Sequence, residues 1–142
     1  MPRNAAAYDE DFYAWTQEQA RLLRSGRFSE IDVENVAEEL ESMGRSDKRE
    51  LDSRLEVLLM QLLKWQVQTG FRSRSWMATI RVQRSHIDES PSLRLLVSQT
   101  RPGLYACARS LAASETGLPE TVFPEQCPFT PEQVLAEEFL PE

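Results

Sequence analysis

Ser29 to Trp65 reads SEIDVENVAEELESMGRSDKRELDSRLEVLLMQLLKW, and this stretch decides the fold class. Apolar residues recur at Ile31, Val36, Leu40 and Met43, then at Leu51, Leu55, Leu58, Leu62 and Trp65. Both sets keep the three-and-four spacing of a helix with one buried stripe. Between them stands Met43-Gly44-Arg45-Ser46. Gly44 suits a left-handed stop after one helix, and Ser46 suits the cap of the next. The stretch therefore predicts a helix hairpin, residues 29–69, at the centre of an all-α helical bundle.

Working outward, Tyr8 to Ser25 reads as the first helix, with Phe12, Trp15, Gln19, Leu22 and Leu23 on one face and Gly26 as its stop. After the hairpin, a fourth helix is expected from about Trp76 to Asp88, with Met77, Ile80 and Ile87 inward. Ser90-Pro91 combines a cap with a first-turn proline and predicts a fifth helix to about Gln99. A sixth, near Gly103 to Thr116, places Leu104, Cys107, Ala108 and Leu111 together and stops at Gly117. The remainder is Pro-rich. Within it, Thr130-Pro131-Glu132-Gln133 reads as a capping box, so Val134, Leu135, Phe139 and Leu140 can dock on the body. Nothing alternates at period two for long enough to predict a sheet.

The 142 residues suit a single helical domain, 1–142. No apolar run is long enough to span a bilayer, and Met1 to Phe12 lacks the apolar core of a secretory signal. The expected location is cytoplasmic, so Cys107 and Cys127 are expected as thiols, without a disulfide. The net charge of −7 is segregated. Residues 1–44 and 110–142 are acidic, whereas residues 45–109 carry twelve basic and six acidic groups. Acidic ends folding over a basic middle is the favoured explanation.

The strings YDEDFYAW, LLRSGRFSEIDVENVAEEL and its continuation to Gln66, RSRSW, and ETGLP with FPEQCPFT carry a resemblance. Together they resemble a bacterial family, domain of unknown function 29, over roughly Tyr8 to Pro141. The resemblance implies a small helical protein. It implies no activity, substrate or cofactor, and no catalytic residue is carried over.

Candidate chemistries thin out quickly. A dimetal carboxylate site in a bundle needs Glu-x-x-His pairs. The single histidine, His86, has Gln83 in that place, and Ser85 and Asp88 give it no triad geometry. Glu34, Glu38 and Glu41 read as a solvated stripe. Two unclustered cysteines build no zinc site, and the five scattered glycines form no phosphate loop. No metal and no cofactor is expected. Glu38, Glu39 and Glu41 are expected to pair across the hairpin turn with Lys48 and Arg49.

The strongest candidate binding face is Arg72, Arg74, Trp76, Arg81 and Arg84, with Lys64 nearby, where guanidinium and indole could grip phosphate and stack on a base. Against this stands a pI of about 4.9. The favoured alternative pairs these arginines with the acidic tail or with Glu34 and Glu38. The sequence therefore reads as a non-enzymatic cytoplasmic protein-interaction or adaptor protein, with a protein partner or self-association. A nucleic-acid-associated, antitoxin-like regulator comes second and a metal-dependent enzyme third.

Overall fold

The computed structural model describes residues 7–87, 91–97 and 102–142. Helix α1 runs Phe12–Arg24 and is capped by Asp11, whose carboxylate accepts from the Ala14 N–H at 3.1 Å. A 3₁₀ turn, Phe28–Glu30, follows Gly26, which takes a left-handed φ of +75°. Helix α2 then runs Val33–Val67. After a second 3₁₀ turn come α3 (Arg74–Ile87), α4 (Pro91–Val97) and α5 (Pro102–Thr116). Gly117, at φ +72°, ends α5 as expected. A third 3₁₀ turn and α6 (Pro131–Leu135) complete the order. Among the described residues there is no strand, so the all-α class stands. The Ser90 cap and the ends expected at Asp88 and Gln99 lie outside the described residues.

The hairpin at residues 29–69 is replaced by one continuous helix. α2 is 35 residues long and passes through Gly44 without a break. Gly44 has no positive φ, and Ser46 is an interior residue rather than a cap. The physical reason is a weak stop signal. A lone glycine inside a helix costs only about 1 kcal/mol against alanine, and no proline follows it. Leu40 and Leu51 are also about three helical turns apart, so the apolar pattern keeps its phase past Gly44. One unbroken helix can therefore run from Val36 through Trp65. The expected charge pairing across a turn gives way to an exposed Arg45–Glu38 pair along the helix, at 3.1 Å.

The chain divides into two compact units, Met1–Asp47 and Lys48–Glu142, with the division inside α2. In the first, Trp15, Gln19 and Leu22 are the buried residues of α1. Phe12 and Leu23, expected beside them, are about half exposed. Asp32 organises this unit. Its carboxylate accepts from the Trp15 indole N–H at 3.0 Å and from the Asn35 side-chain amide at 2.8 Å. Its own backbone N–H donates to Gln19 Oε1 at 2.8 Å. Tyr8, Phe12 and Trp15 stack into a small aromatic cluster, with ring centroids 4.7–5.7 Å apart. Of the predicted stripe, Ile31 and Val36 are half-buried, but Leu40 and Met43 are exposed.

The second unit holds the main core. Every residue from Leu58 to Trp65 is buried, so this part of α2 is packed on all sides. Leu51, Leu55, Leu58, Leu62 and Trp65 are buried as the spacing predicts. Ile80 and Ile87 join from α3, and Phe123, Phe129 and Val134 from the C-terminal segment. On α5 the inner face is Tyr105, Ala108, Ala112 and Ala113, with Leu104 packed against the core; of the expected set Leu104 and Ala108 face inward, whereas Cys107 and Leu111 are exposed. The Tyr105 hydroxyl donates to the Pro124 carbonyl at 2.6 Å. That bond lets a large ring be buried with its polar end satisfied. The capping box at Thr130 and Gln133 forms in full. Val134 is buried, and Leu135, Phe139 and Leu140 pack against the core, so the tail docks.

Candidate functional site

The five residues of the predicted binding face differ sharply in environment. Arg84 is only 5% exposed. Its guanidinium donates to the carbonyls of Val134 at 2.8 Å, Gln133 at 3.2 Å and Glu137 at 3.4 Å. These carbonyls lie at and just after the C-terminal end of α6, where a cation also complements the helix dipole. Burial pushes the Arg84 pKa down from its ordinary value. Arg72 donates to the Trp65 carbonyl at 2.8 Å and to the backbone oxygens of Pro141 and Glu142 at 3.4 and 2.9 Å. It also lies over the Trp65 ring, 5.0 Å from its centroid. Trp76 is half-buried under the Lys64 ammonium, 4.6 Å away. Lys64 in turn sits 3.6 Å from a Glu115 oxygen. Arg74 and Arg81 are exposed and make no hydrogen bond or ion pair among the described residues.

The tail thus covers part of the basic segment, through main-chain oxygens rather than the carboxylates the charge count suggested. Composition could not show this. Carbonyls carry no formal charge, yet several converging on one guanidinium satisfy it well. Beside Arg84 lies an open cleft of about 440 Å³, lined by Met77, Ile80, Arg81, Arg84, Glu137, Glu138 and Leu140. Its walls carry both signs of charge over an apolar floor.

A second candidate lies in the exposed apolar side chains of the N-terminal unit. Phe12, Tyr13, Leu23, Phe28, Val33, Leu40 and Met43 are all exposed. Tyr13 is 74% exposed, Met43 65% and Leu40 63%. Sequence reasoning missed this surface because the hairpin assumption buried Leu40 and Met43. The signal was present in Phe28, a bulky aromatic in a short loop that no helical stripe could bury.

The charges around this surface are mostly acidic, although Arg24 is exposed beside Leu23 and has no ion pair among the described residues. Three of the unit's arginines are already matched by carboxylates: Arg21 by Glu18 at 2.6 Å, Arg45 by Glu38 at 3.1 Å, and Arg27 by Glu30. Asp32 feels burial, which would raise its pKa. Hydrogen bonds from the Asn35 side chain, the Trp15 indole and the Asn35 backbone N–H outweigh that and hold it below its ordinary value. The last of these makes Asp32 the cap of α2. The Tyr8 hydroxyl donates to Glu39, and that bond, with burial and the Glu39 charge, pushes its pKa up to about 12. Asp9, Glu10, Glu34, Glu41 and Asp47 are exposed and have no ion-pair or hydrogen-bond partner among the described residues.

Other chemistry is sparse. Among the described residues no group of three or more His, Cys, Asp and Glu is placed to hold a metal ion. His86 is an exposed helix residue. Both cysteines are free thiols, and burial of the sulfur pushes the Cys127 pKa up. No helix among the described residues is long and apolar enough to cross a membrane. No curated protein and no solved structure is significantly similar to the chain. A family model matches residues 7–140, nearly the whole chain and both units, and the chain therefore belongs to the family described as domain of unknown function DUF29.

Proposed function

We propose that the chain is a non-enzymatic protein-interaction or adaptor protein of the cytoplasm, and that it docks a protein partner through the apolar surface of its N-terminal unit. One observation carries this reading. Seven of the twelve exposed large hydrophobic residues among the described residues fall between Phe12 and Met43. Scattered surface hydrophobics are ordinary, but such concentration in one small unit marks an interaction surface. The family match runs across both units, which supports reading residues 1–142 as one helical domain. The test is capture from host extract by the wild-type chain and by a Leu40→Lys, Met43→Lys variant of unchanged helicity. A protein retained by the first and lost from the second is the expected result. Identical profiles would overturn the reading.

Arg74 and Arg81 favour a second reading, the nucleic-acid-associated regulator. They sit two helical turns apart on α3, exposed and without a partner among the described residues. With Arg72 and Arg84 holding the tail, this face is reduced to two cations. Two phosphate contacts support only weak, salt-sensitive binding. A gel shift at low salt, lost in Arg74→Ala with Arg81→Ala, would promote this reading over the first.

A further inference from the structure

The exposed apolar surface of the N-terminal unit also carries information about the chemistry of its partner, provided that the docking role holds. Two features decide that chemistry. The first is area. Three aromatic and four aliphatic side chains stand about half to three-quarters exposed. At roughly 100–150 Å² each they offer on the order of 800 Å², the share one partner contributes to a standard interface. The second is charge. Among the described residues of the unit, Asp9, Glu10, Glu34, Glu41 and Asp47 are exposed carboxylates without an ion pair, against one such cation, Arg24. Glu34 follows Val33 and Glu41 follows Leu40 in α2, about 100° round the helix and so flanking those residues rather than facing them, and Asp9 and Glu10 precede Phe12 and Tyr13 by three residues each.

We infer that this surface binds a basic amphipathic segment of another protein, apolar residues inward and lysine or arginine at the rim. A second copy of the chain fits less well, because it would bring one carboxylate rim against another. An acidic segment would meet the same repulsion. The reverse match places ammonium or guanidinium groups beside Glu34, Glu41, Asp9 and Glu10. Helix-in-groove recognition commonly joins an apolar face to such a charged border.

The probe is a synthetic amphipathic helix of roughly 18 residues, leucine on one face and lysine on the other, end-labelled for fluorescence anisotropy. Its control carries glutamate in place of every lysine. The full chain is used throughout. The expected result is saturable binding of the lysine peptide and at least tenfold weaker binding of the glutamate peptide. Affinity should fall about tenfold as salt rises from low to roughly 0.5 M, as rim pairs are screened. Glu34→Gln with Glu41→Gln should reproduce most of that loss without altering helicity or melting. Equal binding of both peptides, lost in Leu40→Lys, would overturn the basic partner and leave the apolar surface standing. Lysine-peptide binding that survives Leu40→Lys and Met43→Lys would overturn the surface itself. Absence of binding by either peptide would overturn the inference. So would sedimentation as a dimer that Leu40→Lys dissociates, since the surface would then be filled by a second copy.

Discussion

The two units solve opposite problems. Among its described residues, the C-terminal unit gathers seventeen buried hydrophobic residues into one cluster, and its buried arginine is saturated by carbonyls. Among its described residues, the N-terminal unit buries two hydrophobic residues, Trp15 and Leu22, and leaves seven large ones in water. Both draw on the same helix, α2, and on similar residue types. The difference lies in what surrounds them. From Leu51 onward, α2 is enclosed by neighbours from α3, α5 and the tail. Before Asp47, the partners described are α1 and a short turn, held by hydrogen bonds to Asp32. A unit this small buries too little to be stable alone.

The largest effect that could break this comparison is expected at Leu58, which is fully buried. Leu58→Ala should cost about 2–5 kcal/mol, by lost transfer energy and a residual cavity. Leu40→Ala, on the same helix, should stay within about 0.5 kcal/mol. Urea melts of the two variants give both numbers. Comparable losses would mean that Leu40 is covered and the contrast between the units is false.

Arg84 comes next. Arg84→Ala leaves carbonyls of residues 133, 134 and 137 without their donor and opens space in the core. The cost should be about 2–3 kcal/mol. Arg72→Ala should lose about 1 kcal/mol, since its site is half-exposed. Arg81→Ala should lose nothing measurable, being exposed and unpartnered among the described residues. Amide exchange in residues 131–142 should speed up in the first two variants and not in the third. A stability loss for Arg81→Ala equal to that of Arg84→Ala would show that the cleft wall is structural too.

How much of this could be read in the sequence depended on whether one residue type fixes one geometry. Thr130-Pro131-Glu132-Gln133 admits few conformations, and the capping box formed as read. Gly26 and Gly117 each follow the end of a helical pattern, and both took the left-handed form. Leu55, Leu58, Leu62 and Trp65 share a periodic face, and burial followed. Gly44 was ambiguous, because glycine is permitted in a turn and tolerated in a helix. Phase across it, not its identity, was the better guide. For Arg72 and Arg84 the tail was legible as the covering segment, but the groups that hold them were not. A basic residue shows where charge is, but the carbonyls that bind it come from a segment some fifty to seventy residues away. Only the folded chain brings them together.

A smaller effect should fall on the N-terminal unit alone. Asp32→Ala removes the cap of α2 and the acceptor of the Trp15 indole, for about 1–2 kcal/mol. Amide exchange should rise in residues 12–40 and hold steady around Leu58 to Trp65. The pH dependence has two limbs. Asp32 is held below its ordinary pKa in the fold. Its contribution is therefore complete above the unfolded carboxylate value, about 4, and is lost as pH falls through the folded value. Tyr8 is pushed the other way, to about 12. Its contribution is complete below about 10 and disappears as pH rises from there towards 12. Asp32→Asn should flatten the acid limb and Tyr8→Phe the alkaline one. Unchanged limbs in those variants would separate these groups from the unit's stability.

The smallest effect is the sharpest, because its sign differs between the two structures the sequence allowed. In the continuous α2, Gly44 is an interior helical residue, and a Cβ added to it meets nothing within 4 Å. Gly44→Ala should then stabilise the chain by about 0.5–1 kcal/mol, through helix propensity and reduced freedom of the unfolded chain. Gly26 has equal space, but its φ is +75°. There alanine would be forced into the left-handed region, and Gly26→Ala should destabilise by about 1 kcal/mol. A hairpin turn at Met43-Gly44-Arg45-Ser46 would put Gly44 in the position Gly26 occupies and make both substitutions unfavourable. Thermal melts of the two variants under one set of conditions compare the signs directly. A gain at Gly44 with a loss at Gly26 is the signature of a helix that carries on from the sparse unit into the packed one.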